Sequence, residues 1–148
     1  EKKIIVDATA LWHVNPKSLH ANTIVTPHSR EFQNVFGCEP NAQNTKKMAE
    51  QYGCTVVLKG KHDYVSYKKN IWENKTGNVG MTKGGTGDVV AGTIAALAAT
   101  NDCLTSALAG IYLTGLAGDR LHDSVGTFYN TEDVIKEFGK VWKEFIYV

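Results

Sequence analysis

Apolar residues fall along this chain in two ways, as short blocks in the first third and as helix-spaced stripes in the last. Ile4-Ile5-Val6 is an unbroken block closed by Asp7, which predicts a buried strand over residues 3–7 that ends at a carboxylate. Residues 22–26 repeat the pattern and stop at Pro27. A helix is predicted from Ser29 to Phe36, with Gly37 ending it. Asn41 or Asn44 caps the next helix, which carries Met48, Ala49 and Tyr52 on one side and leaves through a left-handed Gly53. Residues 54–59, C-T-V-V-L-K, form the clearest strand, because β-branched residues cluster there. After Gly60 the pattern changes to alternation. Tyr64-Val65-Ser66-Tyr67, a turn at Lys68-Lys69-Asn70 and Ile71-Trp72-Glu73 read as an antiparallel hairpin.

A glycine-rich loop over 76–87 follows, and then three helices. The first begins near Asp88. The second runs over 105–122, with Leu104, Leu108, Ile111, Tyr112 and Leu116 as core contacts. Its small residues Ala107, Gly110, Thr114, Ala117 and Gly118 allow other elements to approach closely. The third starts at Thr131 as N-cap, with Glu132 and Asp133 where the helix dipole favours acids. Its stripe is Val134, Ile135, Phe138, Val141, Trp142, Phe145 and Ile146. Strands alternating with helices in the first third predict a mostly parallel main sheet of three strands. Such a sheet needs cover on both faces, and three strands with five helices make a poor closed unit. The expectation is that something precedes Glu1.

Composition narrows the function classes. A chain of 148 residues that is 43% hydrophobic and 21% charged folds around a core as one domain. A formal net charge of +1 without a basic stripe gives no footprint for nucleic acid; Lys46-Lys47 and Lys68-Lys69 read as solvated. Three cysteines with no C-x-x-C pair argue against a disulfide framework or a zinc site, and Cys54 reads as a small core residue. The longest mostly apolar stretch, 89–99, is too short to span a bilayer. With no secretory signal at the start, no membrane association and a cytoplasmic location are expected.

The richest segment is 77–92, G-N-V-G-M-T-K-G-G-T-G-D-V-V-A-G, a flexible loop entering the first turn of an apolar helix. The first four N–H groups of a helix lack internal partners, and the helix dipole places about half a positive charge there. Glycines at 84, 85 and 87 let the backbone approach a ligand and turn its amides inward, giving an anion hole suited to phosphate. Asp88 stands at its mouth, where a carboxylate could take a proton from a hydroxyl attacking a terminal phosphate. The competing reading is a turn with Asp88 as a helix cap. The pattern is neither a Walker A loop, since no Gly-Lys-Ser/Thr follows, nor a dinucleotide fingerprint, since it follows a hairpin.

The stretch T-G-N-V-G-M-T-K-G-G-T-G-D-V-V-A-G-T-I-A-A-L closely resembles the signature of the ADP- or ATP-dependent NAD(P)H-hydrate dehydratases, in the ribokinase-like superfamily. Other segments agree in order. Val6-Asp7-Ala8-Thr9-Ala10-Leu11 is similar to the family's V-D-A-D-A-L. Thr26-Pro27-His28-Ser29-Arg30-Glu31 is similar to its T-P-H-P-G-E. Val56-Val57-Leu58-Lys59-Gly60 is similar to V-V-L-K-G, and Leu113-Thr114-Gly115-Leu116-Ala117-Gly118-Asp119 to the H-G-x-A-G-D helix.

The resemblance implies an α/β fold of the ribokinase-like three-layer type, a mostly parallel sheet with helices on both faces plus a β-hairpin. Residues 1–148 would form only the C-terminal part of that single domain. It also implies phosphoryl transfer from ADP or ATP, with Mg2+, to the stray hydroxyl of hydrated NADH or NADPH (NADHX, NADPHX), and then loss of phosphate. By carry-over Asp88 is the base, and Gly84, Gly85, Thr86 and Gly87 form the anion hole. Lys59, Gly60, Lys61, His62 and Asp63 line the adenine-nucleotide site. His28 contacts the hydrated dinucleotide. Asn78 shapes the loop and is a further candidate on the substrate side, and Glu31 is a helix-start acid or a contact of magnesium or water. No residue is assigned as a metal ligand. Thr9, Trp12 and Ser29-Arg30 depart from the family pattern on the substrate side. The family's domain has an N-terminal half, so that half or a homo-oligomeric partner is expected to complete the unit. A vitamin-precursor kinase of the same superfamily and a non-catalytic nucleotide-binding half-domain are the alternatives.

Overall fold

The computed structural model describes residues 2–146; the side chain of Ile146, placed above in the last stripe, lies outside the described residues. Five strands form one sheet in sequential order: β1 (Ile4–Val6), β2 (Thr23–Val25), β3 (Thr55–Leu58), β4 (Asp63–Tyr67) and β5 (Asn70–Asn74). The pairs β1–β2 and β2–β3 are parallel, while β3–β4 and β4–β5 are antiparallel. The expected hairpin therefore does not stand apart from a three-stranded main sheet. Val57 pairs with Val65 and Leu58 with Tyr64, so the hairpin extends the same sheet and hides the β3 edge.

Alternation along the strands sorts the core into two faces. Val25, Val56 and Leu58 meet α1 (Ser29–Phe36) and α2 (Ala42–Tyr52) through Phe32, Val35, Met48 and Ala49, with Leu11 from a 3-10 turn over Ala8–Trp12. Ile24, Val57 and Val65 meet α3 (Thr86–Ala98) and α4 (Cys103–Val125) through Ile94, Cys103, Ala107 and Ile111. The last helix, α5 (Thr131–Ile146), lies on α4, with Leu113 and Ala117 against Tyr129, Val134 and Val141. Cys54 is buried in the first of these cores, and burial pushes its thiol up to about 12, so it is an inert packing residue.

Local signals set most boundaries. Gly37 and Gly53 adopt φ of 66° and 63°, the left-handed exits expected of them. Asn41, not Asn44, caps α2 by accepting from the Asn44 amide at 2.8 Å. Three expectations for the final helices are corrected. First, α3 and α4 start two residues earlier than predicted, at Thr86 and Cys103, the latter because Asp102 caps the Thr105 amide at 2.9 Å. Second, the buried side of α4 is its small side: Ala107, Gly110, Thr114, Ala117 and Gly118 are buried, whereas Tyr112 is 44% exposed. A Cβ on Gly110 would sit 2.5 Å from Ile94, so close helix approach decides the orientation. Of the expected core contacts, Ile111 is buried, Leu104, Leu108 and Leu116 are partly buried against the cores, and Tyr112 is left outside. Ile135 and Phe145 of α5 are also exposed, although Phe145 makes an edge-on ring contact with Tyr112 of α4 at 6.4 Å. Third, Thr131 is not the cap of α5. Asn130 accepts from the Asp133 amide at 3.1 Å, and Asp133 accepts from the Asn130 amide at 2.9 Å. The Thr131 hydroxyl is used elsewhere, as described below.

Among the described residues, no helix is long and apolar enough to cross a membrane.

Candidate functional site

The carboxyl ends of the three parallel strands and the amino end of α3 converge. Asp7 follows β1, Thr26 follows β2 and Lys59 follows β3. The Lys59 ammonium donates to Asp7 Oδ1 at 2.7 Å, and the Thr26 hydroxyl donates to the same oxygen at 2.7 Å. The strand ends are themselves stitched together, Thr26 N–H to Val6 O at 3.1 Å and Lys59 N–H to Pro27 O at 2.8 Å. Lys59 and Asp7 keep only 20% and 12% of their side chains exposed, so loss of either partner strands a charge in a poorly hydrated place. Ala8 supports this corner with φ of 49°, turning the chain away immediately after Asp7 at a strain cost of about 1–2 kcal/mol. Asp7 was legible in the sequence only as the acid that closes a strand; its pairing with Lys59 across 52 positions was not.

Lys59 also faces the glycine loop. A Cβ placed on Gly87 would lie 3.4 Å from Lys59 Nζ and 4.0 Å from Asp7 Oδ2, so the bare Cα of Gly87 leaves a small cradle beside an ammonium. Gly85 precedes α3 with φ of 90°, a left-handed value that turns the chain into the helix. Thr86 is buried, and its hydroxyl is shared between Met81 O at 2.6 Å and Lys83 O at 2.8 Å. Thr86 therefore anchors the loop rather than presenting its hydroxyl. The first-turn amides of Gly87 and Asp88 have no acceptor among the described residues, as a helix start requires. Asp88 is in that first turn and exposed. It also lines a groove of about 680 Å³ between α3 and α5, walled largely by Val89, Leu97, Ile135, Phe138 and Trp142. Lys59 is not on that wall and reaches Gly87 from the sheet.

The remaining candidates separate. Gly60 and Asp63 form a turn in which Asp63 accepts from the Gly60 amide at 3.0 Å and from Asn74 Nδ2 at 3.2 Å. Burial pushes the Asp63 carboxyl above its ordinary range, against those hydrogen bonds. Asp63 thus braces the corner. Lys61 and His62 are exposed, and the His62 ring contacts Glu73 Oε1 at 2.7 Å. His28 is the N-cap of α1: its Nδ1 accepts from the amides of Arg30 and Glu31 at 3.1 and 3.2 Å. Buried Glu31 returns the bond, accepting from the His28 amide at 2.8 Å, so the helix-start reading of Glu31 describes its contact here. Half of the His28 side chain remains exposed. Asn78 is committed to the loop. Its Oδ1 accepts from the Gly80 amide at 2.9 Å and the Tyr129 hydroxyl at 2.7 Å, and its Nδ2 donates to Asp119 at 3.0 Å. That leaves the substrate-side expectation for Asn78 without a free oxygen to serve it.

Sequence reasoning missed the groups that fasten the loop. Lys83 Nζ donates to Thr127 O at 2.7 Å and to Tyr129 O, and lies 4.4 Å from the centre of the Tyr129 ring. The Thr131 hydroxyl donates to Gly84 O at 2.9 Å.

The family model for NAD(P)H-hydrate dehydratase matches residues 1–140. The chain belongs to that family. It is 41% identical over 145 residues to the bifunctional NAD(P)H-hydrate repair enzyme Nnr of Methanocaldococcus jannaschii, covering 97% of this chain and 28% of that protein. It is 35% identical over 151 residues to the ADP-dependent (S)-NAD(P)H-hydrate dehydratase of Nitrosopumilus maritimus, covering 97% of this chain and 53% of the relative. Among solved structures, the ADP/ATP-dependent NAD(P)H-hydrate dehydratase of Bacillus subtilis, co-crystallised with ATP/Mg2+ and soaked with CoA, superposes with a TM-score of 0.84 at 29% identity. That match covers 97% of this chain and 56% of the other. The sheet and its helical layers are therefore the ribokinase-like fold, and the chain spans about half the length of its single-function relatives, or less where the relative is bifunctional.

Proposed function

We propose that this chain carries the phosphate-binding and proton-accepting half of an ADP- or ATP-dependent NAD(P)H-hydrate dehydratase, which returns hydrated NADH or NADPH to the reduced dinucleotide. The observation that carries the reading is the convergence of the Lys59 ammonium on Gly87 at the start of α3, one residue before Asp88. The fit of a nucleotide rests on that cradle, where the bare Gly87 Cα leaves room for a phosphate oxygen beside a cation and unpaired amides. Each charge-assisted hydrogen bond there contributes roughly 1.5–3 kcal/mol. Among the described residues no cluster of three or more acidic, histidine or cysteine side chains could hold a metal by itself. Asp7 is the carboxylate here that would hold a magnesium ion carried on the phosphates, and such an ion would neutralise charge on the transferred group.

The chain's own residues then divide the work. The amides of Gly84, Gly85, Gly87 and Asp88, with Lys59, orient the terminal phosphate and take up its charge. Asp7 and Thr26 hold Lys59 in place. Asp88, exposed beside the anion hole, accepts the proton of the ring hydroxyl as its oxygen attacks phosphorus. The nucleotide, shortened by one phosphate, departs as the ring oxygen bonds to phosphorus. That oxygen then leaves as phosphate with the C–O bonding pair, the neighbouring ring carbon gives up a proton to solvent, and the ring double bond re-forms. His28, half exposed at the ends of the same strands, is on the side assigned to the dinucleotide. Lys61 and His62 lie toward the adenine end.

A complete pocket is proposed to include the rest of the domain, or a second copy. In support, β1 pairs on one side only, with Ile4 47% exposed at that edge, and the length of the relatives leaves room for further strands. The test is product analysis on the full-length protein with hydrated NADH and ADP or ATP. Reduced-nicotinamide absorbance and inorganic phosphate rising in equal amounts is the expected result. A stable phosphorylated product without restored dinucleotide would assign the protein to the kinases instead.

A further inference from the structure

The glycine loop is held at both ends by side chains from outside it, and one of them lies far along α4. Asp119 accepts from the Gly77 amide at 2.9 Å with Oδ2 and from Asn78 Nδ2 at 3.0 Å with Oδ1. Asn78 passes the constraint on, accepting from the Gly80 amide and the Tyr129 hydroxyl. Gly80 lies in a 3-10 turn over Val79–Met81, whose last carbonyl takes the Thr86 hydroxyl. α4 offers a flush seat to the same segment. A Cβ at Gly115 would collide with Thr76, and one at Gly118 with Met81. Thr76 also donates to Tyr112 O at 3.1 Å. Burial pushes the Tyr129 phenol up, so it stays a donor to Asn78 at neutral pH. The residues next to Tyr129 start α5, where Thr131 holds Gly84 O.

We propose that Asp119 is a positioning residue for the anion hole: through Gly77 and Asn78 it fixes the entry of the loop, so that the amides over 84–88 reach a nucleotide's phosphates already oriented. The inference rests on the proposed function for its ligand, but its geometry stands without it. Preorganisation of this kind spares the ordering cost at the moment of binding, and a carboxylate accepting from an amide and a side-chain N–H is a strong tether.

The hydrogen-bond pattern supplies its own control. In Asp119→Asn the new amide can serve Gly77 only by turning its N–H toward the N–H of Asn78. In the double variant Asn78→Asp with Asp119→Asn, the roles are exchanged. Residue 119 then accepts from Gly77 and donates to residue 78, and residue 78 still accepts from Gly80 and Tyr129. Net charge is unchanged. Two readouts apply to the full-length protein, hydrogen exchange over residues 76–87 and ADP affinity by calorimetry. Asp119→Asn is expected to raise exchange in that segment, leave β3 unchanged and weaken ADP roughly tenfold or more. The double variant is expected to restore both to within about twofold of the unaltered protein.

Unaltered loop exchange and ADP affinity in Asp119→Asn would overturn the proposal. So would a folded double variant that stays as impaired as the single one. If Asp119→Asn does not fold, the double variant decides alone: wild-type-like exchange and affinity support the relay, and lost affinity in folded protein refutes it. Should the unaltered protein bind no adenine nucleotide, the proposed function falls, while the exchange comparison still decides whether Asp119 holds the loop.

Discussion

Around residues 84–88 the chain offers a ligand its own main chain; around residues 59–63, a few ångströms of sheet away, it offers mostly side chains. The first region is built from glycines, a helix start and anchors drawn from α4 and the first residue of α5. The second is a turn closed by Asp63, from which Lys61 and His62 extend into solvent, with only Lys59 turned inward onto Asp7. Amides fixed by packing cannot titrate or rotate away, so they suit the invariant part of a nucleotide. Exposed side chains tolerate change and respond to pH and salt. The two regions should therefore answer perturbation differently.

The largest expected effect is on chemistry alone. Asp88→Asn should lower turnover by roughly 10²–10⁴ while ADP affinity stays within a few-fold, as steady-state rates and calorimetry would read. Turnover close to that of the unaltered protein would remove Asp88 from its role. Next comes the cradle. Gly87→Ala puts a methyl group 3.4 Å from the Lys59 ammonium and should weaken ADP by roughly ten- to a hundredfold. Gly84→Ala, with nothing within 4 Å of its new methyl group, should bind nearly as before. Equal effects at the two glycines would mean that general loop flexibility, not a specific cradle, is what matters. Against these, Lys61→Ala and His62→Ala should each change ADP affinity by less than about threefold, since exposed charges contribute little.

The smallest effects are in pH dependence and are confined to the corner. Burial raises the Asp63 carboxyl, so the folded chain holds that proton more tightly than the unfolded chain does. Its contribution to stability is greatest in acid and declines as pH rises through the raised value. Glu73 has the opposite sign. The hydrogen bond from His62 holds its carboxyl low, so its contribution is present above the unfolded value and is lost as pH falls through the lowered one. In melting curves from acid to neutral pH, Asp63→Asn should remove the decline on the rising side, and Glu73→Gln should remove part of the acid-side loss. Identical profiles for both variants would contradict the assignment.

How much could be read from sequence follows the same division. Gly37, Gly53, the alternation over 64–73 and the glycine pattern over 84–87 are local signals, since each depends on a residue's own backbone freedom or periodicity, and the elements form where they predict. What was hidden depends on partners distant in sequence. Tyr112 looked like core and is exposed, because Gly110, Gly115 and Gly118 draw the other side of α4 against Ile94, Thr76 and Met81. Thr131 looked like a cap, yet its hydroxyl is spent on Gly84, and Asn130 caps instead. Asp7 and Asp119 each read as an acid at the end of a pattern and within a family-like segment, with no partner assigned. Only the fold brings the one to Lys59 and the other to the loop. The glycines point to the proposed backbone site, and the residues proposed to make it rigid carry no local mark.

The most direct test follows the backbone amides of Gly84, Gly85, Gly87 and Asp88 by nuclear magnetic resonance while ADP with magnesium is added to the full-length protein. The largest shifts should fall on these amides and saturate together with the calorimetric binding curve. Shifts confined to other segments, with these four unmoved at saturation, would contradict a phosphate site made from the main chain at the start of α3.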